Sequence, residues 1–260
     1  MFPDLFSIGP LTIHTYGLFV ATGIFVGIMV TVRLGKSEGI SPQQVMDMGF
    51  IVILSGIIGS RVVYVFMNIS YYRYQPVEIF KIWQGGLVFS GAIIGVVLAT
   101  VWYAKHHKLP LWTLCDIWAP AAVIGQSIGR IGCFMAGCCY GKPTDLKWGV
   151  VFTHPKSLAP LNVPLHPTQI YSSISGLIIF LILLLLYSKK KFEGQVFLWF
   201  LILHSTARLF LERFRGDDRG MLFGSTMTTT QFVAILILIA SGVALIIIKS
   251  KQSRKSHTMQ

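Results

Sequence analysis

The stretch IYSSISGLIIFLILLLLY, residues 170–187, decides the fold class. It contains no charged side chain, and its length approaches the roughly 20 residues that carry a helix across the hydrocarbon core of a bilayer. Residues 189–191, which follow it, are all lysine. Basic residues gather at the cytoplasmic ends of membrane helices. The stretch therefore predicts a transmembrane helix with its carboxyl end in the cytoplasm.

The composition of the whole chain agrees with this interpretation. Of 260 residues, 53% are hydrophobic and 12% are charged, and the mean hydropathy is +0.67. Soluble domains carry about 25% charged residues, so this chain has roughly half the charge that a globular surface needs. The net charge of +12 could indicate nucleic-acid binding. Because the cations cluster at the ends of apolar blocks, a membrane protein is the better explanation, and no nucleic-acid partner is expected.

Apolar blocks of similar length recur along the chain. They predict an all-α polytopic fold with seven transmembrane helices, which forms one integral membrane domain over residues 1–260. A longer polar segment at about 137–164 is predicted to be an external loop. The predicted spans are residues 16–34, 45–67, 87–103, 113–135, 170–187, 195–215 and 225–248.

The distribution of Lys and Arg predicts the orientation of the spans. One set of short loops holds eleven cations, and the opposite set holds eight that are spread over longer segments with more acidic residues. The denser set belongs in the cytoplasm, which puts the N-terminus outside and the C-terminus inside. The denser set is Arg33, Lys36, Lys105, Lys108, Lys189, Lys190, Lys191, Lys249, Lys251, Arg254 and Lys255.

Three remaining cations, Arg61, Arg130 and Arg208, lie inside predicted spans. Each falls about five to seven residues from the outer end, so all three should have similar depth, roughly 8–11 Å below the outer helix ends. Charged groups are costly in a bilayer and often mark functional sites, so we expect an anion-binding pocket open to the outer leaflet. In the alternative interpretation each arginine pairs privately with a carboxylate or with backbone carbonyls.

His204, Arg208 and Glu212 are spaced four residues apart and should share one helix face. A guanidinium between a carboxylate and an imidazole is an oriented cation with a possible proton acceptor beside it. An adjacent guanidinium also disfavours imidazolium and keeps the ring neutral. The alternative is that His204 is a neutral, hydrogen-bonded interior histidine without a catalytic role.

The four cysteines are Cys115, Cys133, Cys138 and Cys139. The spacing of the last three fits none of the usual zinc patterns, and adjacent cysteines are awkward paired ligands. No metal is expected, and the default role of these cysteines is to fill space at the end of a helix as small side chains. A metal site, or an external disulfide from Cys133 to Cys138 or Cys139, stays open as an alternative.

Six ordered segments give the chain a resemblance to the prolipoprotein diacylglyceryl transferase family over nearly its whole length. Any one segment alone is weak, but six in order at the ends of predicted spans form a specific joint signal. The segments are HTYG at 14–17, GSR at 59–61, GGLVFSG at 85–91, GRIGCF at 129–134, HPTQIY at 166–171, and Arg208 with Glu212 and Arg215.

This resemblance implies a definite reaction. Family members transfer the diacylglyceryl group of phosphatidylglycerol to the lipobox cysteine thiol of a preprolipoprotein, forming a thioether as glycerol phosphate leaves. It implies a multi-pass protein of the bacterial inner membrane, with phosphatidylglycerol and the preprolipoprotein as partners and no cofactor. Arginine suits a phosphate leaving group, and stabilising its charge is the expected main catalytic contribution.

The resemblance also implies roles for individual residues. Arg130 and Arg208 hold the lipid headgroup, Glu212 orients Arg208, and Tyr16 lines the same site. Residues assigned to substrate binding are Arg130, Arg61, Gly86, Ser90 and His166, and residues assigned to catalysis are Arg208, Glu212, His204 and Tyr16.

The chain departs from the family pattern at several positions. Ser90 stands where the best-known members have histidine, Cys133 replaces asparagine, and residues 136–139, AGCC, replace a stretch rich in Asn and Glu. Ser172 replaces a common glutamate, and His204 replaces a tyrosine. Phosphate binding is therefore better supported than the identity of a base.

His204 is our hypothesis for the base that takes the client thiol proton, because Ser90 cannot do so near neutral pH. The alternatives are His166, or no protein base at all. Two other functions also stay open. One is an anion or lipid transporter, which should show broken helices in matching halves. The other is a lipid-binding relative without catalytic activity.

Overall fold

The computed structural model describes residues 2–8, 11–217 and 227–258. The chain is mostly helical, with 70% of its residues in helices. Within the described residues the helices are α1 (Thr15–Ser37), α2 (Pro42–Met67), α3 (Ile69–Tyr72), α4 (Phe89–His106), α5 (Leu111–Ala136), α6 (Thr168–Tyr187), α7 (Gln195–Glu212) and α8 (Thr229–Thr258).

Each predicted span coincides with one of the long helices. Five of these, α1, α2, α4, α6 and α8, are long and apolar enough to cross a membrane within the described part of the chain. The chain is thus a multi-pass membrane protein. Helices α5 and α7 carry the polar side chains Asp116, Gln126, Arg130, His204 and Glu212, which lower their hydropathy. The predicted start of the last span, Ser225, and the cation Arg219 lie outside the described residues.

The chain forms two compact units, one of residues 1–30 with 115–260 and one of residues 31–114. In the first unit, an antiparallel hairpin of β1 (Asp4–Ile8) and β2 (Leu11–His14) precedes α1. Apolar side chains of α5, α6 and α7 form a buried cluster in this unit. Its members are Val123, Ile179, Leu183 and Val196.

The polar segment between α5 and α6 is folded and has a small core of its own. Strands β3 (Val150–Val151) and β4 (Pro164–Leu165) pair antiparallel, and Phe152, Ala159 and Leu165 are buried beside them. The all-α prediction missed this pair and the N-terminal hairpin. Strands β3 and β4 have only two residues each, and β1 does not alternate apolar and polar residues, so no clear period-two pattern marks either pair.

The N-terminus of α7 is capped by a side chain from α5. The Asp116 carboxylate, fully buried, accepts hydrogen bonds from the backbone N–H groups of Gly194 (2.8 Å) and Phe197 (2.9 Å). Lys190 lies 3.7 Å from the same carboxylate. The first N–H groups of a helix lack partners within it, so Asp116 satisfies two of them from a distant part of the sequence.

In the second unit, α2 begins at the predicted Ser41-Pro42 start. The Ser41 hydroxyl accepts the Gln44 N–H, and the Gln44 side chain accepts the Ser41 N–H, which together form a capping box. A short helix, α3, and two 3₁₀ turns at Pro76–Phe80 and Ile82–Gln84 then lead to α4.

Helices α2 and α4 pack with their backbones nearly in contact. A Cβ atom added to Gly91 would lie 2.3 Å from the Gly59 carbonyl oxygen, and one added to Gly95 would lie 2.2 Å from that of Ser55. Such separations exclude any side chain. Glycine at positions 91 and 95 thus permits this close helix contact, as small residues commonly do between membrane helices.

Candidate active site

A cavity in the first unit is lined by residues of α5, α6 and α7. Its polar lining contains two of the predicted arginines together with the predicted base. Its volume of ≈ 20 Å³ is space for about one water molecule, so a phosphate would enter only if side chains moved. The polar lining residues are Gln126, Arg130, Ser172, Ser175, His204 and Arg208.

Arg208 is held by an ion pair within α7. Its Nη2 atom lies 2.9 Å from Glu212 Oε2, and the Glu212 carboxylate is almost fully buried. The Thr228 hydroxyl, just before α8, donates to Glu212 Oε1 at 3.1 Å. Glu212 is therefore fixed from both sides, and it orients the guanidinium of Arg208 at the cavity, as the spacing predicts.

His204 lies one turn before Arg208 and contacts α5. Its Nε2 atom is 2.8 Å from Gln126 Oε1, and the Phe200 ring packs at 5.5 Å between centroids. With the amide oxygen assigned to this contact, Nε2–H donates and Nδ1 is the nitrogen left to accept a proton. The imidazole is thus held in one tautomer by Gln126, a residue that the sequence analysis missed because nothing local marks it.

The third predicted arginine, Arg61, belongs to the second unit. Its buried guanidinium donates to a ring of backbone carbonyls, and the Tyr64 and Tyr72 rings pack over it at 5.7 and 5.4 Å. This corresponds to the alternative interpretation, in which carbonyls satisfy the cation. The carbonyl acceptors belong to Glu78 (2.6 Å), Ile79 (2.9 Å), Lys81 (3.4 Å), Gly85 (2.8 Å) and Gly86 (3.2 Å).

Gly86 and Ser90 lie before and within the first turn of α4, and the Gly86 carbonyl accepts a hydrogen bond from Arg61. Gly86 has a φ angle of +70°, and a Cβ atom there would lie 2.6 Å from Arg61 Nη1. Glycine is required by both the backbone conformation and the space. Ser90 is exposed in the second unit.

Tyr16 lies in the first turn of α1, which passes close to α5 at Gly132. A Cβ atom added to Gly132 would lie 3.2 Å from the Tyr16 carbonyl oxygen. The Tyr16 side chain is 45% exposed. The missing side chain of Gly132 thus brings Tyr16 beside the carboxyl-terminal end of α5, which carries Arg130 and Cys133.

His166 lies in an aromatic and polar network before α6. Its Nδ1 atom is 3.4 Å from the Tyr171 hydroxyl, which accepts a 2.8 Å hydrogen bond from Trp148 Nε1. The Phe214 ring contacts His166 at 5.2 Å between centroids. These contacts order the loop that joins β4 to α6.

The HPTQ segment anchors the cysteine loop that follows α5. The Thr168 hydroxyl donates to the Cys139 carbonyl, and the Gln169 side chain donates to the Cys138 carbonyl, each at 2.8 Å. Thr168 and Gln169 are fully buried. Two buried polar side chains at a helix start therefore position two adjacent cysteines, an arrangement the sequence analysis did not predict.

The thiols of Cys133, Cys138 and Cys139 converge. Their sulfur atoms all lie within 4.8 Å of one another, and no disulfide joins the four cysteines of the chain, all of which are described. Hydrogen bonds with Cys133 and Cys138, together with the nearby Arg215 guanidinium, lower the pKa of the Cys139 thiol. Hydrogen bonds with Cys133 and Cys139, together with burial, raise the pKa of the Cys138 thiol.

Arg215 follows α7 and is buried. It makes a bidentate ion pair with Asp217, at 2.7 Å from Nε and 2.8 Å from Nη2. It also hydrogen-bonds the Cys139 side chain. Arg215 therefore connects the end of α7 to the cysteine loop.

The fold and the cavity define a class of protein: a multi-pass helical membrane protein with a small cavity lined by two arginines. The chain belongs to the prolipoprotein diacylglyceryl transferase family, whose sequence model matches residues 3–248. This match runs through both compact units.

Several relatives are similar over almost the whole chain. A phosphatidylglycerol–prolipoprotein diacylglyceryl transferase of Clostridium tetani is 37% identical over 92% of this chain and 94% of its own length. The corresponding protein of Finegoldia magna is 35% identical over 96% and 97% of the two chains. The phosphatidylglycerol–prolipoprotein diacylglyceryl transferase 2 of Clostridium perfringens is 34% identical over 94% of this chain and 94% of its own length.

Proposed function

We propose that this chain transfers the diacylglyceryl group of phosphatidylglycerol to the lipobox cysteine of preprolipoproteins, the first step of bacterial lipoprotein maturation. Its membership of the transferase family and the names of its relatives support this activity. The observation that carries the proposal is the cavity into which Arg130 and Arg208 both project, with Arg208 fixed by the buried Glu212.

In this reaction the client sulfur attacks the glyceryl carbon that bears the phosphate. The carbon–oxygen bond to phosphate breaks, and glycerol phosphate leaves with the electron pair on its oxygen. Arg130 and Arg208 stabilise the developing negative charge, which an ordered guanidinium does better than water in a site with little solvent. His204 Nδ1 accepts the proton of the client thiol, and Tyr16 lines the headgroup site.

We further propose that the chain is a single transferase domain of the bacterial inner membrane with seven spans, including α5 and α7. The N-terminus is outside, the C-terminus is cytoplasmic, and the cavity faces the outer leaflet. The support is the loop charge distribution and the position of Arg130 and Arg208 toward one end of their helices. Arg61, Gly86, Ser90 and His166 remain assigned to substrate binding, Arg61 through the backbone that it orders.

Complementation of a cell depleted of its own transferase tests the proposed activity. We expect growth and thioether-linked diacylglycerol on a reporter lipoprotein, and we expect none with a reporter whose lipobox cysteine is replaced by serine. Movement of lipid without thioether formation would favour the transporter alternative. Binding of phosphatidylglycerol without transfer would identify a non-catalytic relative.

A further inference from the structure

The three-thiol cluster of Cys133, Cys138 and Cys139 is not used by the mechanism described above. Cys133 is buried in the last turn of α5, and the other two thiols are half-buried in the loop that follows. All three sulfur atoms lie within 4.8 Å of one another. Three convergent thiols at the edge of a membrane domain are more than is needed to fill a helix end.

The loop backbone is shaped to bring these thiols together. Gly137 has a φ angle of +73°, and a Cβ atom there would lie 2.0 Å from the Ser157 hydroxyl oxygen. Cys139 has a φ angle of +61°, which residues other than glycine rarely adopt. The buried side chains of Thr168 and Gln169 hold the carbonyls of both loop cysteines.

The cluster has the donors and the dimensions of a site for a thiophilic metal ion. Thiolates select Zn²⁺ and Cu⁺, and Zn–S bonds of about 2.3 Å place the sulfurs around a tetrahedral ion about 3.8 Å apart. Sulfurs already within 4.8 Å need to approach by at most about 1 Å. Among the described residues the group offers three ligand atoms, and three protein ligands with an open fourth position are typical of catalytic zinc.

The cluster lies beside the arginine cavity. Cys133 comes three residues after Arg130 on α5, so the two share a helix face with a rise of about 4.5 Å between them. Tyr16 approaches the same end of α5 through Gly132. An ion held by the thiols would therefore lie about one helix turn from the arginine expected to bind the phosphate of the lipid.

We propose that Cys133, Cys138 and Cys139 bind one thiophilic metal ion, with Zn²⁺ preferred, whose open position receives the lipobox thiol of the client. This inference rests on the proposed transferase activity and assigns the group that activates its nucleophile. A free thiol is only a few per cent thiolate near neutral pH, whereas a metal-bound thiol is deprotonated. The ion thus supplies a thiolate next to the arginines.

The step balances without any redox change. The client thiol binds the metal as thiolate, and its proton passes to His204. The sulfur then attacks the glyceryl carbon as the carbon–oxygen bond to phosphate breaks, and the thioether leaves the metal because it carries no charge. Glycerol phosphate departs from Arg130 and Arg208, and the open position is regenerated.

Metal binding to the purified, reduced, full-length protein is the first measurement. We expect one Zn²⁺ per chain and, with Co²⁺ as the probe, a thiolate-to-cobalt charge-transfer band. Serine replacements at Cys133, Cys138 and Cys139 should each weaken Zn²⁺ binding beyond the roughly 10–100-fold typical of lost outer contacts. Cys115→Ser, which alters a cysteine outside the cluster, should bind as the wild type does, and thermal unfolding of each variant verifies folding.

The metal site would be overturned by less than 0.5 ion per wild-type chain or by equal binding in the cluster variants. A Cys133–Cys138 or Cys133–Cys139 disulfide in protein purified without reductant would also overturn it. The second measurement adds a lipobox peptide to the Co²⁺ form. A peptide with cysteine should change the cobalt spectrum in a 1:1 ratio, and the same peptide with serine should not. An unchanged spectrum with the cysteine peptide would overturn the role of the open position.

Transfer assays separate this inference from the proposed function. The metal-free enzyme should transfer diacylglycerol at least about tenfold more slowly than the Zn²⁺ form, with recovery on adding Zn²⁺. Full transfer by metal-free protein would overturn the inference and leave the transferase function intact. Stoichiometric metal and peptide-thiol binding without any transfer from phosphatidylglycerol would instead contradict the proposed function while supporting the metal–thiol site.

Discussion

At the scale of single residues, the Arg208–Glu212 pair explains how a membrane helix can keep a cation ready for an anionic ligand. The 2.9 Å ion pair lies between side chains that are only 13% and 3% exposed, and Thr228 satisfies the other oxygen of Glu212. A buried charge with a fixed partner costs far less than an isolated one. The planar guanidinium is thus held in place before a phosphate arrives.

The shape of the arginine side chains should matter as much as their charge. Lysine keeps the positive charge but loses the planar, bidentate donor set. We expect Arg130→Lys and Arg208→Lys each to lower transfer about 100-fold or more, the usual loss when a donor to a developing anion is removed. Transfer to a lipobox peptide, measured at equal membrane insertion, is the assay.

The matched control is Arg213→Lys, which alters an exposed arginine next to Glu212 in sequence and should leave transfer unchanged. If both cavity variants keep full activity, phosphate binding by Arg130 and Arg208 is wrong.

His204 should act as a base and not only as a packed interior side chain. Replacing it by tyrosine keeps an aromatic ring and a polar atom but removes the nitrogen that can accept a proton. We expect His204→Tyr to slow transfer about 100-fold, at the lower end for loss of a general base, at every pH from about 6 to about 8. A pH–rate profile for both proteins measures this.

His106→Tyr, at the last residue of α4 and stacked on Trp102, serves as the control for an aromatic substitution of histidine. Wild-type rates for His204→Tyr over the whole pH range would reduce His204 to a structural residue.

At the scale of elements, α5 and α7 are the helices whose polar side chains build the site. Their apolar faces still pack together with α6 through Val123, Ile179, Leu183 and Val196. Hydroxyls reinforce this contact, since Ser127 donates to the Ser173 carbonyl at 2.6 Å. The position of His204 opposite Gln126 therefore depends on how α7 begins and on how closely α5 packs against its neighbours.

Asp116 should be a stability residue for α7. Asp116→Ala leaves the buried N–H group of Gly194 and the half-buried N–H group of Phe197 without their acceptor, which costs about 1–3 kcal/mol for an unsatisfied buried group. We expect this loss in the free energy of unfolding in detergent, with transfer falling as the folded fraction falls. Asp47→Ala, at an exposed carboxylate on α2, should change stability by less than about 0.5 kcal/mol.

An Asp116→Ala protein as stable as wild type would show that water replaces the carboxylate at the N-terminus of α7.

The α2–α4 contact should tolerate no side chain at its centre. In Gly91→Val, the added Cβ would lie 2.3 Å from the Gly59 carbonyl oxygen, so the helices must move apart. Overpacking of this kind costs about 1–3 kcal/mol, which should appear as a lower midpoint of thermal unfolding. Gly242→Ala in α8, where nothing lies within 4 Å of the new atom, is the control and should be neutral or slightly stabilising.

An unchanged unfolding midpoint for Gly91→Val would mean that the close approach of α2 and α4 is not required for stability.

At the scale of the whole molecule, the proposed topology can be tested with reporters. Fusion after Lys255 should report a cytoplasmic location, because the denser set of loop cations, including residues 189–191, belongs inside. A reporter inserted near Asp145, in the folded loop between α5 and α6, should report the exterior. Reversed signals would place the arginine cavity at the opposite leaflet and contradict the proposed access for the client.

The sequence alone determined the class of protein and its family. Hydropathy measured over about 20 residues is a local property, so the helical, multi-pass character of the chain could be predicted without any contact. The 3.6-residue helix period is also local, and it correctly placed Arg208 and Glu212 on one face. The ordered motifs predicted family membership, and the match of the family sequence model to residues 3–248 confirms it.

The tertiary structure alone decided which polar groups from distant parts of the sequence meet. The hydrogen-bond partners of His204 and Asp116 are 78 to 81 residues away in sequence. The carbonyls that surround Arg61 come from 17 to 25 residues further along the chain. The spacing of the cysteines in the sequence fits no common metal-binding pattern. Their thiols come together only in the folded loop, through two positive-φ residues and the side chains of Thr168 and Gln169. Such contacts depend on how distant helices and loops pack, and no local periodicity records that.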